Sequence, residues 1–364
     1  MIKTALCCIT ATLLLLTGCN SPTDTANPKS QASEIQTPIE VKVVVVTMFE
    51  LGEVSGDKAG EFQRWKERHQ LNQRFAFPQS HADLYLNPES GVLGMITGMG
   101  TNRSSSAIMA LGLDPRFDLT NAYWLVAGIS GFDPNDAPIG SAAWAEWLVD
   151  GDLGHEIDAR EIPSDWKTGF FPLFSAGPYP EKRPPNQGEV FQLNDQLTNW
   201  AYQLTKQVEL ADDAVIAEER KLYTQYPNAQ TKPVVMKGDH MAAMTFWHGE
   251  QFNQWANEYV DYWSEGQGKF VSSAMEDTGT AQSLFYLDRA GKADYQRLMV
   301  VRTASNFTVP APGMTAAENL LNSEGHTYAG MELALENAWR VGSKVVDTLA
   351  KNWHHYRDHL PYEK

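Results

Sequence analysis

Apolar residues along the chain fall into short, dense runs, separated by glycine-rich turns and by amphipathic segments. The run Val43–Val46 consists wholly of β-branched residues, which is typical of a strand buried on both faces of a sheet. A helix is predicted in "RSSSAIMALGL". Further strands are predicted in "GVLGMITGMG", "AYWLVAGISGF", "KPVVMKGDH" and "RLMVVRTASNF". This order of strand, glycine turn, helix and strand predicts an α/β domain with a mainly parallel central sheet.

Two amphipathic helices are predicted further along the chain. The first lies in "LNDQLTNWAYQLTKQVEL", and its apolar face consists of Leu193, Leu197, Trp200, Ala201 and Leu204. The second runs from about residue 327 to residue 353, and its predicted buried positions are Met331, Leu335, Ala338 and Val345 or their neighbours. Residues 150–195 are rich in proline, glycine and aromatic residues, and they predict an irregular excursion rather than a separate domain.

The N-terminal stretch has the pattern of a secretory signal, with an early lysine and an apolar segment too short to span a bilayer comfortably. Its sequence Leu-Thr-Gly-Cys, ending at Cys19, resembles a bacterial lipobox and implies lipidation of that cysteine. We predict a lipoprotein signal peptide at residues 1–18 and a flexible tether at 19–40 that begins with the lipidated Cys19. The folded domain is predicted at 41–364. The expected location is the cell envelope of a bacterium, with the protein lipid-anchored on the periplasmic face of the outer membrane.

Charge and cysteine content exclude several classes of function. The formal net charge is −16, and the sequence has no basic stripe, which argues against nucleic acid as a partner. The three cysteines are Cys7, Cys8 and Cys19, so the predicted domain has no cysteine nucleophile, disulfide or thiolate metal site. His240 and His248 lack a third ligand at a suitable spacing, and we predict no metal and no cofactor.

Glycine turns follow two of the predicted strands, at residues 98–100 and 128–131. In α/β folds, ligands gather at the carboxyl ends of the strands, where these turns lie. The turn "TGMGTNRS" matches neither the Walker pattern nor the dinucleotide fingerprint. We therefore take Gly98, Gly100 and Gly128 as candidate positions where the backbone approaches a ligand closely.

The order of six short motifs resembles the nucleoside phosphorylase/nucleosidase superfamily. The motifs are "VVVVTMFE", "TGMG", "VAGISG", "MKGDH", "SSAMEDT" and "VVRTASNF". Four stretches, two of them within these motifs, resemble a narrower group, the purine nucleoside permease family: "DGDLGHEIDAREIP", "TFWHG", "AMED" and "RTASN". The resemblance covers residues 41–353, with an insertion near 150–235. It implies a single three-layer α/β/α domain with a mixed, mainly parallel central sheet, and a purine nucleoside as ligand.

The resemblance assigns the sugar end of the site to "SSAMEDT". Met275 and Glu276 match the Met-Glu pair of the family, which implies that Glu276 accepts hydrogen bonds from ribose hydroxyls. A carboxylate has about four acceptor positions and can bind a vicinal diol through both oxygens. Asp277 has no settled role in the pattern. It either stabilises the start of a helix through the helix dipole or extends the sugar site.

The resemblance assigns the base end to Ser305 and Asn306. Nucleosidases usually have Asp at the position of Asn306, where it protonates the leaving base, and an amide is a poor proton source. Phosphorylases that prefer 6-oxopurines also have Asn, so the sequence favours inosine or guanosine. Alternatively Asp239, His240 or His248 supplies the proton.

The nucleophile is predicted from the loop after the first strand. Nucleosidases of the superfamily have an acidic residue there that activates water, and Glu50 is our candidate. Phosphorylases need cations for phosphate, but "VAGISG" has Val126 and Ile129 where bacterial phosphorylases have Arg and Ser. Arg103 is the one obvious cation that could replace them. Water is therefore the expected nucleophile.

Aromatic residues near "KGDH" complete the candidate site. Phe246, Trp247 and His248 could stack on a purine, although a row of aromatic residues is more often part of a core.

The predicted function is binding of a purine nucleoside and hydrolysis of its N-glycosidic bond. The alternatives are a nucleoside-binding lipoprotein that assists transport without turnover, and a phosphate-dependent phosphorylase. A homo-oligomer is possible, because superfamily members often complete each site across a subunit interface.

Overall fold

A 12-stranded mixed sheet forms the centre of the computed structural model, which describes residues 37–325 and 330–363. Its strands are β2 (Val43–Thr47), β3 (Gln73–Phe75), β4 (Leu84–Asn87), β5 (Val92–Ile96), β7 (Tyr123–Phe132), β8 (Ala142–Trp144), β9 (Trp147–Asp150), β12 (Val190–Gln192), β13 (Val235–Lys237), β14 (Asp239–Ala242), β15 (Phe270–Ala274) and β16 (Leu298–Phe307). Two further pairs of short strands are β1 (Ile39–Glu40) with β6 (Phe117–Asp118) and β10 (His155–Glu156) with β11 (Phe170–Phe171).

Helices follow most of the long strands. The helices of the described residues are α1 (Gln63–Arg68), α2 (Thr101–Gly112), α3 (Asp195–Thr205), α4 (Ala214–Arg220), α5 (Glu250–Trp263), α6 (Asp277–Arg289), α7 (Ala316–Gly325), α8 (Met331–Lys351) and α9 (Trp353–Tyr356). No helix within the described ranges combines the length and the apolar character that crossing a membrane requires.

The strand β2 shows why the fold has three layers. Its valines are fully buried and alternate between the two faces of the sheet. Val44 and Val46 belong to a core cluster with Ile108 of α2 and Leu284 of α6. Val43 and Val45 belong to the opposite cluster, whose helical members include Val341 and Val345 of α8 and Leu197 of α3. The predicted three-layer α/β/α architecture with a mixed sheet is confirmed.

The long strand β7 opens a space at the carboxyl end of the sheet. Its first residues pair in parallel with β2, from Tyr123 to Val126, whereas Gly131 and Phe132 pair with the antiparallel strand β15. Strand β16 runs parallel to β7 along its whole length. The ends of β2, β7, β15 and β16 therefore converge on one region, and the register of β16 shifts there between Ala304 and Asn306. Such a bulge re-aims side chains and is frequent beside functional sites.

Three segments differ from the sequence predictions. "KPVVMKGDH" forms two strands, β13 and β14, because the chain changes partner at Gly238 from β8 to β9 and β15. Helix α8 begins at Met331, after the predicted start, and residues 326–329 lie outside the described ranges. The excursion after residue 150 is not wholly irregular, since β12 pairs with β9 and forms one edge of the sheet. The predicted signal peptide and Cys19 also lie outside the described residues.

Candidate functional site

A cavity of about 330 Å³ lies where the ends of β2, β7, β15 and β16 converge. Its volume is within the range of small-molecule sites, roughly 300–1,000 Å³. The predicted site residues that line it are Phe246, Trp247, Met275, Glu276, Ser305 and Asn306. Those outside its lining are Glu50, Gly98, Gly100, Gly128, Asp239, His248 and Asp277. A larger, polar surface depression of about 670 Å³ near Tyr226 contains none of the predicted residues.

Glu276 lies at the start of α6, with its carboxylate held by two donors. The backbone N–H of Gly100 donates to Oε1 at 2.9 Å, and Nη2 of Arg302 donates to Oε2 at 2.9 Å. Burial raises the pKa of Glu276, although the charge of Arg302 opposes this. Gly100 has a φ of 98°, a left-handed conformation that favours glycine. Gly100 thus orients the candidate sugar-binding carboxylate without lining the cavity.

Asp277 points away from the cavity and is fully buried. Nη2 of Arg302 donates to its Oδ1 at 2.6 Å, and Nε of Arg302 donates to the same oxygen at 3.1 Å. Nδ1 of His240 lies 3.5 Å from Oδ2. Burial opposes ionisation of Asp277, but the charge of Arg302 and the contact with His240 outweigh it and lower its pKa to about 2. Of the two adjacent carboxylates, only Glu276 reaches the cavity.

Arg302 lines the cavity but was not among the residues predicted from the sequence. It occupies the middle of β16, is 1% exposed, and lines the cavity between Glu276 and Glu61. Besides the two carboxylates, its Nη1 donates to the carbonyl of Ile129 at 3.3 Å. The sequence contained an indication of this role. Arg302 directly follows the apolar run "LMVV" in a predicted buried strand, and a buried arginine needs an anionic partner.

Gly128 leaves the space that Arg302 and Glu61 occupy. A Cβ at this position would lie 2.5 Å from Oε1 of Glu61 and 2.7 Å from Nη1 of Arg302. We expect Gly128→Ala to lower the free energy of unfolding by about 1–3 kcal/mol, because both groups are held by further hydrogen bonds and cannot move aside freely. Urea denaturation followed by tryptophan fluorescence measures this, and an unchanged midpoint would contradict the packing described.

Glu61 is the second missed residue. It is 5% exposed and lines the cavity beside Arg302. The backbone N–H groups of Met48 and Ile129 donate to its Oε2 and Oε1, each at 2.8 Å. Burial raises its pKa to about 8, with the charge of Arg302 opposing and that of Glu276 adding to the rise. Nothing in its local sequence separates Glu61 from the other acidic residues of the loop after β2.

Glu50, the predicted water-activating residue, has a different position. Its Oε1 accepts hydrogen bonds from the backbone N–H groups of Leu51 and Gly60, and its Oε2 from those of Phe62 and Gln63 at 3.1 and 2.6 Å. The carboxylate therefore satisfies N–H groups at the start of α1, which would otherwise lack partners. Glu50 is not among the residues that line the cavity, so this geometry does not favour its predicted water-activating role.

Ser305 and Asn306 lie in the cavity wall at the bulge of β16. The hydroxyl of Ser305 donates to Oδ1 of Asn306 at 2.8 Å, and Nδ2 of Asn306 donates to the carbonyl of Phe307 at 3.2 Å. The oxygen of the amide therefore already accepts a hydrogen bond. One of the two hydrogens on Nδ2 has no protein acceptor within the described residues. Asn306 can thus offer a donor to a ligand.

The remaining predicted residues divide between the cavity and the surrounding framework. Phe246 is 43% exposed at the cavity, whereas Trp247 is 7% exposed and packs against the rings of Trp255 and Phe270. His248 lines a separate cavity of about 590 Å³, and burial lowers its pKa. It is therefore not a candidate for stacking on a ligand in the first cavity.

Asp239 and Gly98 also belong to the framework. Asp239 accepts hydrogen bonds from the backbone N–H groups of Glu146, Trp147 and Lys269 at 2.7–2.9 Å, so it joins strand ends rather than contacting a ligand. Gly98 has a φ of 84° in the turn before α2. Within residues 37–325 and 330–363, no group of three or more His, Cys, Asp or Glu side chains could hold a metal ion.

The architecture is that of the nucleoside phosphorylase fold. A 5′-methylthioadenosine/S-adenosylhomocysteine nucleosidase from Helicobacter pylori aligns with a TM-score of 0.50 at 13% identity, covering 85% of this chain and 99% of its own. Futalosine hydrolase of Helicobacter pylori aligns with a TM-score of 0.50 at 13% identity, covering 85% and 98%. At these identities the likeness shows the fold alone.

The chain belongs to the purine nucleoside permease family, whose model matches residues 40–361. A protein of Schizosaccharomyces pombe named "probable purine nucleoside permease" is 30% identical over 289 residues, which are 77% of this chain and 80% of the relative. A purine nucleoside permease of Candida albicans is 31% identical over 281 residues, covering 75% and 67%. Both relatives are yeast proteins, so the predicted lipid-anchored location in a bacterial cell envelope is wrong.

Proposed function

We propose that the protein binds a purine nucleoside in the cavity at the strand ends and hydrolyses its N-glycosidic bond. One observation carries the proposal: Glu61 and Glu276, two buried carboxylates, line the same cavity as the amide of Asn306, and Arg302 lies between the carboxylates. Acceptors for sugar hydroxyls, a base for water and a donor for the purine are thus available together. The family of the chain and its nucleosidase-like fold support a nucleoside as ligand.

Glu276 binds the ribose in this proposal. Each of its oxygens already accepts one hydrogen bond, from Gly100 or from Arg302, and each keeps a further lone pair. The 2′- and 3′-hydroxyls of a ribose can donate to these positions. Because Arg302 and Gly100 fix the carboxylate, it need not reorganise when the sugar binds.

Glu61 activates water. Its carboxylate accepts a proton as the water oxygen forms a bond to C1′, and the C1′–N9 bond breaks with its electron pair going to the base. Nδ2 of Asn306 donates a hydrogen bond to N7 and stabilises the charge that develops on the base. The base then takes a proton from solvent and Glu61 returns its proton to solvent, so the products are the free purine and ribose and the carboxylate is regenerated.

Phosphate is disfavoured as the nucleophile. Arg302 is the one Lys or Arg side chain in the described cavity wall, and its Nε, Nη1 and Nη2 atoms all donate to protein oxygens. Arg103, the cation suggested by the sequence, does not line the cavity. A phosphate would have to displace a carboxylate from Arg302 and would meet the repulsion of the others.

The proposal is tested by incubating the protein with inosine, guanosine and adenosine and separating the products by chromatography. We expect release of the free base, with 6-oxopurine nucleosides preferred because Asn306 offers a donor that suits both N7 and O6. Absence of base release from all three nucleosides would refute hydrolysis.

The rate should increase with pH up to about 8. The proton-accepting form of Glu61 is the carboxylate, and its pKa is raised to about 8, so the fraction of active base rises as the pH passes through this value. We expect kcat/KM for inosine to rise nearly tenfold per pH unit below about 7 and to level off above about 8. A profile that is flat or falls between pH 6 and pH 9 would contradict this role.

A second candidate is binding of a nucleoside for uptake, without turnover. The names of the yeast relatives favour it, since both are called permeases. Equilibrium binding of inosine without base release, with or without phosphate, would support this function instead of hydrolysis.

A further inference from the structure

A serine, a glycine and an asparagine form one row across three neighbouring strands at the cavity. Ser273 of β15 pairs with Gly131 of β7, and Gly131 pairs with Asn306 of β16. All three residues line the cavity. The row therefore runs across the cavity wall, perpendicular to the strands.

The side chains of this row share one face of the sheet. Directly paired residues on adjacent strands point to the same side. A Cβ at Gly131 would lie 3.1 Å from Nδ2 of Asn306, so the open side of the glycine is the side of the amide. Ser272, one residue before Ser273, is fully buried and does not line the cavity.

The hydroxyl of Ser273 is available to a ligand. Ser273 is half-buried, and its Oγ makes no hydrogen bond to any residue within 37–325 or 330–363. Asn306, at the other end of the row, offers Nδ2 because its oxygen is engaged by Ser305. The two polar groups are separated only by Gly131, which has no side chain.

The spacing of the row suits a bicyclic base. Neighbouring strands lie about 4.8 Å apart, so the Cα atoms of Ser273 and Asn306 are separated by roughly 10 Å. The amide of Asn306 leans over Gly131, with Nδ2 3.1 Å from the position of a Cβ there, so its donor lies closer to Ser273 than the Cα spacing suggests. A planar ring system can therefore lie above the row and contact both polar groups from the cavity side. A purine is long enough to place one edge near each of them, whereas a single pyrimidine ring is shorter.

We propose that Ser273 is a specificity-determining residue, whose hydroxyl hydrogen-bonds the pyrimidine-ring edge of a purine while Asn306 binds the imidazole edge. This inference rests on the proposed function, because it requires a nucleoside in the cavity. The hydroxyl accepts from N1–H of a 6-oxopurine and can instead donate to N1 of a 6-aminopurine. The contact with Ser273 thus requires a base long enough to reach it, which favours a purine over a pyrimidine. The donor of Asn306 favours a 6-oxo over a 6-amino substituent.

The inference is tested by equilibrium binding of inosine and 7-deazainosine in a Glu61→Gln background, which prevents consumption of the ligand. We expect Ser273→Ala to weaken the binding of both ligands by about threefold to tenfold, the effect of one lost hydrogen bond. Asn306→Ala should weaken the binding of inosine more than that of 7-deazainosine, which lacks N7. Ser272→Ala is the matched control and should leave both affinities within twofold.

The binding results for the parent and for the Ser273 and Ser272 variants separate the role of Ser273 from strand packing and from the proposed function. If Ser273→Ala binds inosine within twofold of the parent, or loses affinity for inosine but not for 7-deazainosine, Ser273 does not contact the pyrimidine-ring edge. If Ser272→Ala weakens binding as much as Ser273→Ala, the effect is one of strand packing. If the parent binds no purine nucleoside, the proposed function fails and this inference fails with it.

Discussion

Glu61→Gln is expected to lower the rate of inosine hydrolysis by about 10²–10⁴-fold, the usual contribution of a general base. The amide has nearly the shape of the carboxyl group but cannot take a proton from water. Its oxygen can accept from only one of the backbone N–H groups of Met48 and Ile129, and the other N–H then faces the amide NH2, so we expect a loss of stability of about 1–3 kcal/mol beside the loss of rate. Single-turnover measurements with excess enzyme, together with equilibrium binding, would separate the lost chemistry from any lost affinity.

Glu50→Gln is the matched control for this variant. Glu50 lies in the same loop as Glu61, but its carboxylate bonds to backbone N–H groups at the start of α1 and does not line the cavity. We expect this change to leave kcat within about threefold of the wild type and to lower stability by ~1 kcal/mol, as for a lost helix cap. If Glu50→Gln abolished turnover while Glu61→Gln did not, the roles assigned to the two residues would be reversed.

Arg302→Met is expected to lower the free energy of unfolding by about 3–5 kcal/mol, because it removes the cation from buried ion pairs and leaves the carboxylates. Arg302 bridges Glu276 and Asp277 at 2.9 and 2.6 Å, and all three residues are at most 5% exposed. Denaturant unfolding followed by fluorescence and circular dichroism measures the loss.

Arg160→Met is the control for Arg302→Met. Arg160 also pairs with an aspartate, Asp158, but its side chain is 88% exposed. Exposed ion pairs contribute about 0–1 kcal/mol, so this variant should unfold close to the wild-type midpoint. Equal losses in the two variants would show that the cluster around Arg302 is not a special determinant of stability.

Short-range patterns predicted the framework of the fold well. Val43–Val46 formed the buried strand β2, because a wholly β-branched run has few other stable environments. Met331, Leu335, Ala338 and Val345 are buried on α8 as their helical spacing indicates. The break between β13 and β14 was not predictable, since the change of partner strand at Gly238 depends on residues distant in sequence.

The candidate site was predictable where a motif keeps its residues together, as in Met275 with Glu276 and Ser305 with Asn306. The different positions of Glu50 and Glu61 relative to the cavity were not predictable. Both are acidic residues of one loop, and only the fold decides which carboxylate is occupied by backbone N–H groups outside the cavity. Spacing along the chain does not contain that information.

The adjacent carboxylates Glu276 and Asp277 illustrate the same limit. They lie at the start of α6, where successive side chains point in different directions. Both carboxylates accept from Arg302, but Glu276 reaches the cavity and has a raised pKa, whereas Asp277 accepts from both Nε and Nη2 of Arg302, lies beside His240 and has a pKa of about 2. The sequence indicates two charges, and the direction of each side chain in the fold decides which of them lines the cavity.

The sugar product formed from inosine tests the proposed hydrolysis of the N-glycosidic bond most directly. The purified protein is incubated with inosine in the presence and absence of phosphate, and the sugar released is identified by chromatography. We expect free ribose together with hypoxanthine, at rates that do not depend on phosphate. Formation of ribose 1-phosphate only when phosphate is present, or no release of hypoxanthine under either condition, would contradict it.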